Sequence, residues 1–141
     1  MQIGVESSKA VENKRVFVID SDEITRAVLQ FMLHDENETH EIASVAQAYE
    51  KAVDWKPDVI LLGMPIVQEQ GVGVINAIRE RIPGVKIAVV ADSSTDPTAQ
   101  NCLKHGAHSL LAKPLTIESV RRKVDILLGR RTSLAIPVLV A

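Results

Sequence analysis

Pro57-Asp58-Val59-Ile60-Leu61-Leu62-Gly63-Met64-Pro65 is the stretch whose reading decides the fold. Four consecutive apolar residues, Val59 to Leu62, follow a Pro-Asp start and meet Gly63. A short apolar run between breakers reads as a strand buried on both faces. Strands of that kind belong to parallel sheets covered by helices. In such sheets, ligand and chemistry sites lie just past the carboxyl ends of the strands. Gly63 stands at that place.

Working outward, the flanking segments alternate in type. Arg15-Val16-Phe17-Val18-Ile19-Asp20 is a second apolar run, ended by an acid. Ser21 and Asp22 are good helix caps. Ile24, Ala27, Val28, Phe31 and Met32 then recur at helical spacing and predict one apolar stripe facing the core. Glu41 to Val45 reads as a short strand. Ala46, Ala48, Tyr49, Ala52 and Val53 read as a helix stopped before Pro57.

Past Gly63, the stretch to Gly73 reads as a loop, because it carries Pro65 and two further glycines. Val74, Ile75, Ala77, Ile78 and Ile82 mark a helix that ends at Pro83-Gly84. Val85 to Ala91 is the fourth strand. Asp96-Pro97 is an N-cap followed by proline at the first helical position, and this helix runs to His105 with Gly106 as its stop. Ser109 to Ala112 is the fifth strand, closed by Lys113-Pro114. A last helix spans Ile117 to Gly129. Five strands alternating with five helices predict a doubly wound parallel sheet with right-handed crossovers.

Composition bounds the function. The chain has 141 residues, 46% hydrophobic and 24% charged, enough for one cored domain. A formal net charge of −2 makes no broad electrostatic case for nucleic acid, and 3% aromatics leave few base-stacking platforms. Cys102 is the single cysteine, so no internal disulfide forms. Its plain reading is a small buried hydrophobe on a helix. His34, His40, His105 and His108 share no metal-ligand spacing with it and read as surface or helix-end residues. Gly71 and Gly73 are followed by no Lys-Ser/Thr, so they form no phosphate cradle. The start of the chain has no signal-peptide core, and no run reaches the roughly 18–20 apolar residues of a membrane span. These observations point to a cytoplasmic protein.

Residues 1–13 read as a flexible leader and 14–130 as one domain. The segment 131–141 reads as an apolar tail or linker remnant, with Leu134, Ala135, Ile136, Val138, Leu139 and Val140 in it. Two readings of the tail stand side by side: a loosely packed trailing piece, or a strand that pairs with a neighbouring chain.

The joint order of Val-Ile-Asp at 18–20, Pro-Asp-Val-Ile-Leu-Leu at 57–62 and Gly-Ala-His-Ser-Leu-Leu-Ala-Lys-Pro at 106–114 resembles the response-regulator receiver domains of two-component signalling. The resemblance covers roughly residues 14–129. It implies a flavodoxin-like, CheY-like α/β fold with strand order 2-1-3-4-5. It also implies a phosphorylation pocket of known parts. Two acids hold Mg²⁺, an aspartate accepts the phosphoryl group, and a hydroxyl and a lysine bind its oxygens. Mapped onto this chain, the first acid is Asp20, while the second position holds Ser21. The acceptor position holds Gly63, the hydroxyl position Ala91 and the lysine position Lys113. Pro114 matches a proline whose peptide bond is cis in the family, and the aromatic switch position holds Leu110.

Only Asp20 and Lys113 of the five pocket positions match the family pattern. The expectation is therefore a degenerate pseudo-receiver that is not an enzyme, with no catalytic residue, no bound metal and no cofactor. Asp20 and Lys113 are expected to pair with each other in the pocket. Asp22 is expected to cap the first helix, and Asp92 either to replace a lost ligand or to stand in solvent. Asp58, at the opposite end of its strand, reads as structural. The implied function is phosphorylation-independent protein interaction in a phosphorelay, with a protein partner or homodimer. Contact would run through the face formed by the helix ending at His105, strand Ser109–Ala112 and the last helix, where Arg121, Arg122 and Lys123 are expected on the exposed side. No membrane and no direct nucleic-acid contact are expected. Two alternatives remain: phosphorylation at an atypical acid, Asp22 or Asp92, and a small ligand in the emptied pocket.

Overall fold

The computed structural model describes residues 14–130, so the expectations for the 1–13 leader and the 131–141 tail lie outside the described residues. Five parallel strands form one sheet in the order β2-β1-β3-β4-β5. They are β1 Arg15–Ile19, β2 Glu38–Ile42, β3 Val59–Gly63, β4 Lys86–Ala91 and β5 Ser109–Ala112. The helices are α1 Glu23–Leu33, α2 Val45–Ala52, α3 Met64–Gln70, α4 Gly73–Arg81, α5 Pro97–Lys104 and α6 Ile117–Leu128. The flavodoxin-like α/β expectation and its strand order hold.

The period-two alternation of the central strands sorts the core into two layers. Phe17, Ile19, Ile60, Leu62, Ile87 and Val89 face one way and meet buried residues of α2, α3, α4 and α5. Val16, Val18, Val59, Leu61, Ala88 and Val90 face the other way and meet Leu29 and Leu33 of α1 with Val120 and Val124 of α6. All five residues of β3 are buried, as a strand flanked on both sides and covered on both faces must be. Asp58 is structural, as expected. Its Oδ2 accepts the Arg15 N–H at 2.9 Å and so ties the start of β3 to the start of β1.

Four expectations need correction. The first concerns α3: residues Met64–Gln70 form a helix where a loop was expected, so six helices lie among the described residues. Pro65 sits in its first turn, where a missing N–H costs nothing, and Met64, Ile66 and Val67 are buried beneath it. The second concerns β2, which runs over Glu38–Ile42 and not 41–45. It is an edge strand with a largely polar pattern, so hydrophobicity did not mark its start. Its extent is set by pairing, Arg15 against Glu38 through Ile19 against Ile42. Ser44 and Val45 instead open α2, with Ser44 as the N-cap accepting the Gln47 N–H.

The third correction concerns which face of α1 is buried. Thr25, Leu29 and Leu33 are buried, whereas Ile24 and Phe31 are 74% and 66% exposed. The apolar stripe read from the sequence lies mostly on the solvent side. The fourth concerns polar side chains. Arg121 is not a free outward charge: its Nε donates to the Met32 carbonyl at 2.9 Å, and it pairs with Asp35 and Glu36, joining α6 to α1. His40 is half-buried on β2 with its Nε2 2.8 Å from Glu38, and the His108 Nδ1 accepts the Ile87 N–H at 3.0 Å. His40 thus belongs to a sheet-edge network, whereas His108 is exposed as expected while its ring nitrogen caps the start of β4. Cys102 is fully buried, and the surrounding apolar core pushes its thiol pKa up.

Candidate functional site: the carboxyl edge of the sheet

The carboxyl ends of β1, β3, β4 and β5 bring Asp20, Gly63, Ala91, Asp92 and Lys113 to one edge. Each arrives there for a local reason. Asp20 follows β1 directly, and its N–H donates to the Ile42 carbonyl at 3.1 Å. Asp22 begins α1 as its N-cap. Its Oδ1 accepts the Ile24 N–H and its Oδ2 accepts the Thr25 hydroxyl at 2.8 Å. The expected capping role of Asp22 is therefore what the structure shows. These bonds favour the ionised form and hold its pKa below the ordinary value. Ser21, between the two acids, is exposed.

Gly63 ends β3 and stands just before α3, with φ −71°. That backbone suits any residue, so the glycine is not there for conformation. It is there for space. A Cβ built on Gly63 would land on the Asp20 carboxyl, 2.8 Å from Oδ1 and nearer still to Cγ and Oδ2. The Asp20 carboxyl thus lies over Gly63, in the volume a side chain there would need.

Asp20 is 3% exposed, and its Oδ1 accepts the Asp22 N–H at 2.9 Å. Burial raises its pKa above the ordinary value, against the lowering effect of that hydrogen bond. The nearby Asp22 raises it further, while Lys113 and Arg26 pull it down.

Lys113 does not pair with Asp20. Its Nζ lies 3.4 Å from Asp92 Oδ1, with the Asp92 side chain 91% exposed and that of Lys113 41%. Asp92 is therefore a solvated acid with one surface partner, and Lys113 reaches Asp20 and Asp22 only through its longer-range field. The physical reason is solvation: the lysine keeps its ammonium hydrated and meets an exposed carboxylate, so it does not enter the desolvated space over Gly63. Ala91 is buried at the end of β4 and offers only its carbonyl, which accepts the Lys113 N–H at 2.9 Å. The Lys113-Pro114 peptide bond is cis, as the resemblance implied. Leu110, where the resemblance implied an aromatic switch, is half-buried and packs against the core.

Two residues at this edge escaped the sequence reading. The Arg26 Nη1 donates to the Asp20 carbonyl at 2.8 Å, and its Nε lies 3.5 Å from Glu41. Thr25 is buried beside Asp22. Their signal was available: Arg26 stands four residues after a cap acid, one helical turn on. Among the described residues, no three His, Cys, Asp or Glu side chains gather as a metal-ligand group. Asp20 and Asp22 lie close enough to raise the Asp20 pKa, and both Asp22 oxygens are already engaged.

Comparison with known proteins places this geometry in a family. Residues 16–125 match the sequence profile of the response regulator receiver domain. The transcriptional regulatory protein PrrA of Mycobacterium tuberculosis is 30% identical over 128 residues, covering 89% of this chain and 54% of PrrA. A putative NtrX-like response regulator of Rickettsia typhi is 29% identical over 121 residues, 82% of this chain and 24% of that protein. The chain thus spans about half or less of the curated relatives it matches. Among solved structures, the beryllofluoride-activated NtrC4 receiver domain dimer superposes with a TM-score of 0.72 at 25% identity, covering 82% of this chain and 97% of that one. A response regulator from Thermotoga maritima superposes at 0.74 with 22% identity, covering 83% and 98%.

Proposed function

Since the chain belongs to the response regulator receiver family, we propose that it is a pseudo-receiver, a phosphorylation-independent interaction module within a two-component pathway. The observation that carries this reading is the Asp20 carboxyl over Gly63. Phosphoryl transfer to a receiver needs a carboxylate in line with the donor and a metal to neutralise the developing charge. Here the acceptor position has no side chain, and a neighbouring acid with a raised pKa fills the vacated volume. Of the two acids expected at the metal position, one is Ser21. Asp22, next along, spends both oxygens on the α1 cap.

Phosphorylation at an atypical acid is less well supported. Asp22 is committed to its cap, and Asp92 stands in solvent beside Lys113, outside any group of three metal-ligating side chains among the described residues. The small-ligand alternative loses its premise where Asp20 fills the space over Gly63.

Without a phosphorylation switch, output would come from surface. The face of α5, β5 and α6 is the one the family uses to dimerise or dock, and here it exposes Leu103 and Ile117. A protein partner or a second copy is the expected occupant, in the cytoplasm, with no enzymatic activity. No helix among the described residues is long and apolar enough to cross a membrane. The test is incubation of the chain with acetyl phosphate and Mg²⁺, read by intact mass. The reading expects an unmodified mass. Stoichiometric phosphoryl addition would overturn it.

A further inference from the structure

A cavity of about 200 Å³ opens between the carboxyl ends of α2 and α4, at the opposite end of β3 from Gly63. Helix α2 stops at Ala52 and continues through Val53, and α4 stops at Arg81 and continues through Ile82. Lys56 reaches the cavity from the loop that leads into β3. Ile82 is 3% exposed, and Ala52 and Tyr49 pack against the same core layer. Val53 lines the cavity too but is 81% exposed, so it leaves apolar surface that a ligand would remove from water.

The polar groups here are donors without acceptors. The Arg81 guanidinium carbon lies 4.3 Å from the centroid of the Tyr49 ring, within cation–π range, and the ring fixes the position of that head group. Neither Arg81 nor Lys56 forms an ion pair among the described residues, and the guanidinium N–H groups reach no protein acceptor there. No described acid lines the cavity.

Basic residues at helix carboxyl ends have an ordinary role, since they offset the partial negative charge of the last carbonyls. That role does not use up the charge present. Each helix end carries about half a negative charge, so α2 and α4 together offset roughly one of the two positive charges. About one positive charge remains, which a monoanion matches. Size narrows the ligand further. Pockets for drug-sized molecules span roughly 300–1,000 Å³, so this cavity takes one compact apolar body and excludes a nucleotide.

We propose that this cavity binds a small organic monocarboxylate. Its apolar body lies against Ala52, Val53 and Ile82, and its carboxylate meets Arg81 and Lys56, with the planar guanidinium supplying paired N–H donors. A ligand held there bridges α2 and α4 and stabilises the folded chain by mass action. The site stands apart from the Asp20–Gly63 edge and does not rest on how that edge behaves.

The test titrates phenylacetate into the full chain and follows the methyl resonances of Ala52, Val53 and Ile82. Saturable shifts are expected at these methyls, while those of core Leu61 and Leu111 stay in place. Phenylacetamide keeps the body without the charge, and acetate keeps the charge without the body; each is expected to bind about tenfold more weakly or worse. Arg81 is exposed, so Arg81→Gln leaves the core intact, and it is expected to weaken phenylacetate by about tenfold. Arg81→Lys, which keeps the charge, is expected to weaken it less. Absence of saturation below about 10 mM phenylacetate would overturn the proposal. So would equal binding of phenylacetamide, or phenylacetate affinity unchanged in Arg81→Gln. Tighter binding of acetyl-glycyl-phenylalanine with a free carboxyl group would assign the cavity to the end of a partner chain and overturn the small-molecule reading.

Discussion

The Asp20 carboxyl lies over Gly63 in the volume that a Cβ at residue 63 would occupy. The two positions are coupled by sterics: the acid can fold inward only because the neighbouring strand ends in glycine. A glycine at residue 63 and the burial of Asp20 are thus one structural arrangement.

Gly63→Ala should displace the Asp20 carboxyl, the end of a side chain that can swing aside, and so cost no more than the low end of overpacking, about 1 kcal/mol. The backbone at φ −71° adds no strain of its own, so the penalty is wholly the contact with Asp20. In an Asp20→Ala background the same change should cost much less. A double-mutant cycle by urea unfolding checks this, and additive effects would show that the two residues do not compete for one space.

Asp20 also makes a pH prediction. Burial raises its folded pKa above the ordinary 3.8, so the folded state binds its proton more tightly than the unfolded chain does. The stability this gives is fully present below the ordinary value and is lost as pH rises through the raised folded value. At neutral pH Asp20 is therefore a net cost. Asp20→Asn keeps an acceptor for the Asp22 N–H and removes the charge, so it should raise the urea midpoint at pH 7. The gain should shrink as pH falls towards 4. A midpoint difference independent of pH would place Asp20 in solvent.

Lys113→Ala should change stability little. Its partner is Asp92, on an exposed pair, and such pairs contribute about 0–1 kcal/mol. This reverses the expectation from the sequence, in which Lys113 shielded a buried carboxylate. A large fall in the unfolding midpoint at pH 7 would restore the buried pair.

Helix α1 offers a contrast between its two faces. Leu29 is fully buried against the sheet and α6, so Leu29→Ala should cost about 2–5 kcal/mol. Phe31 is 66% exposed, and Phe31→Ala should cost a fraction of that. Equal penalties by chemical denaturation would mean that the sequence-based stripe, and not the observed face, is the buried one.

The sequence carried most of the architecture because buried parallel strands announce themselves. Val59–Gly63 and Ser109–Ala112 are apolar runs closed by breakers, and both strands lie where those runs do. Strand β2 was displaced because an edge strand such as Glu-Thr-His-Glu-Ile is held by backbone pairing, which leaves no hydrophobic signature. Helix α3 escapes the sequence reading because Gly63 and Gly71 flank it and Pro65 lies within it, in the first turn, where proline starts a helix as readily as it ends one elsewhere. Helix α1 misled because two of its large apolar residues, Ile24 and Phe31, are exposed while Leu29 and Leu33 form the buried face. At the site, residue types were legible but pairings were not. The sequence places Asp20 and Lys113 at adjacent strand ends, yet only geometry shows that the lysine turns to Asp92 while Asp20 folds over Gly63.

On the proposed reading, Asp20 closes this edge of the sheet by filling the volume over Gly63. The direct measurement is the intact mass of the Gly63→Asp variant after incubation with acetyl phosphate and Mg²⁺. The new carboxylate would collide with Asp20, lie among acids that raise one another's pKa, and find Ser21 and Ala91 where a metal ligand and a hydroxyl are needed. The account predicts an unphosphorylated Gly63→Asp chain, with modification appearing only when Ser21→Asp, and then Ala91→Thr, are added. Stoichiometric phosphoryl addition to the Gly63→Asp single variant would contradict it.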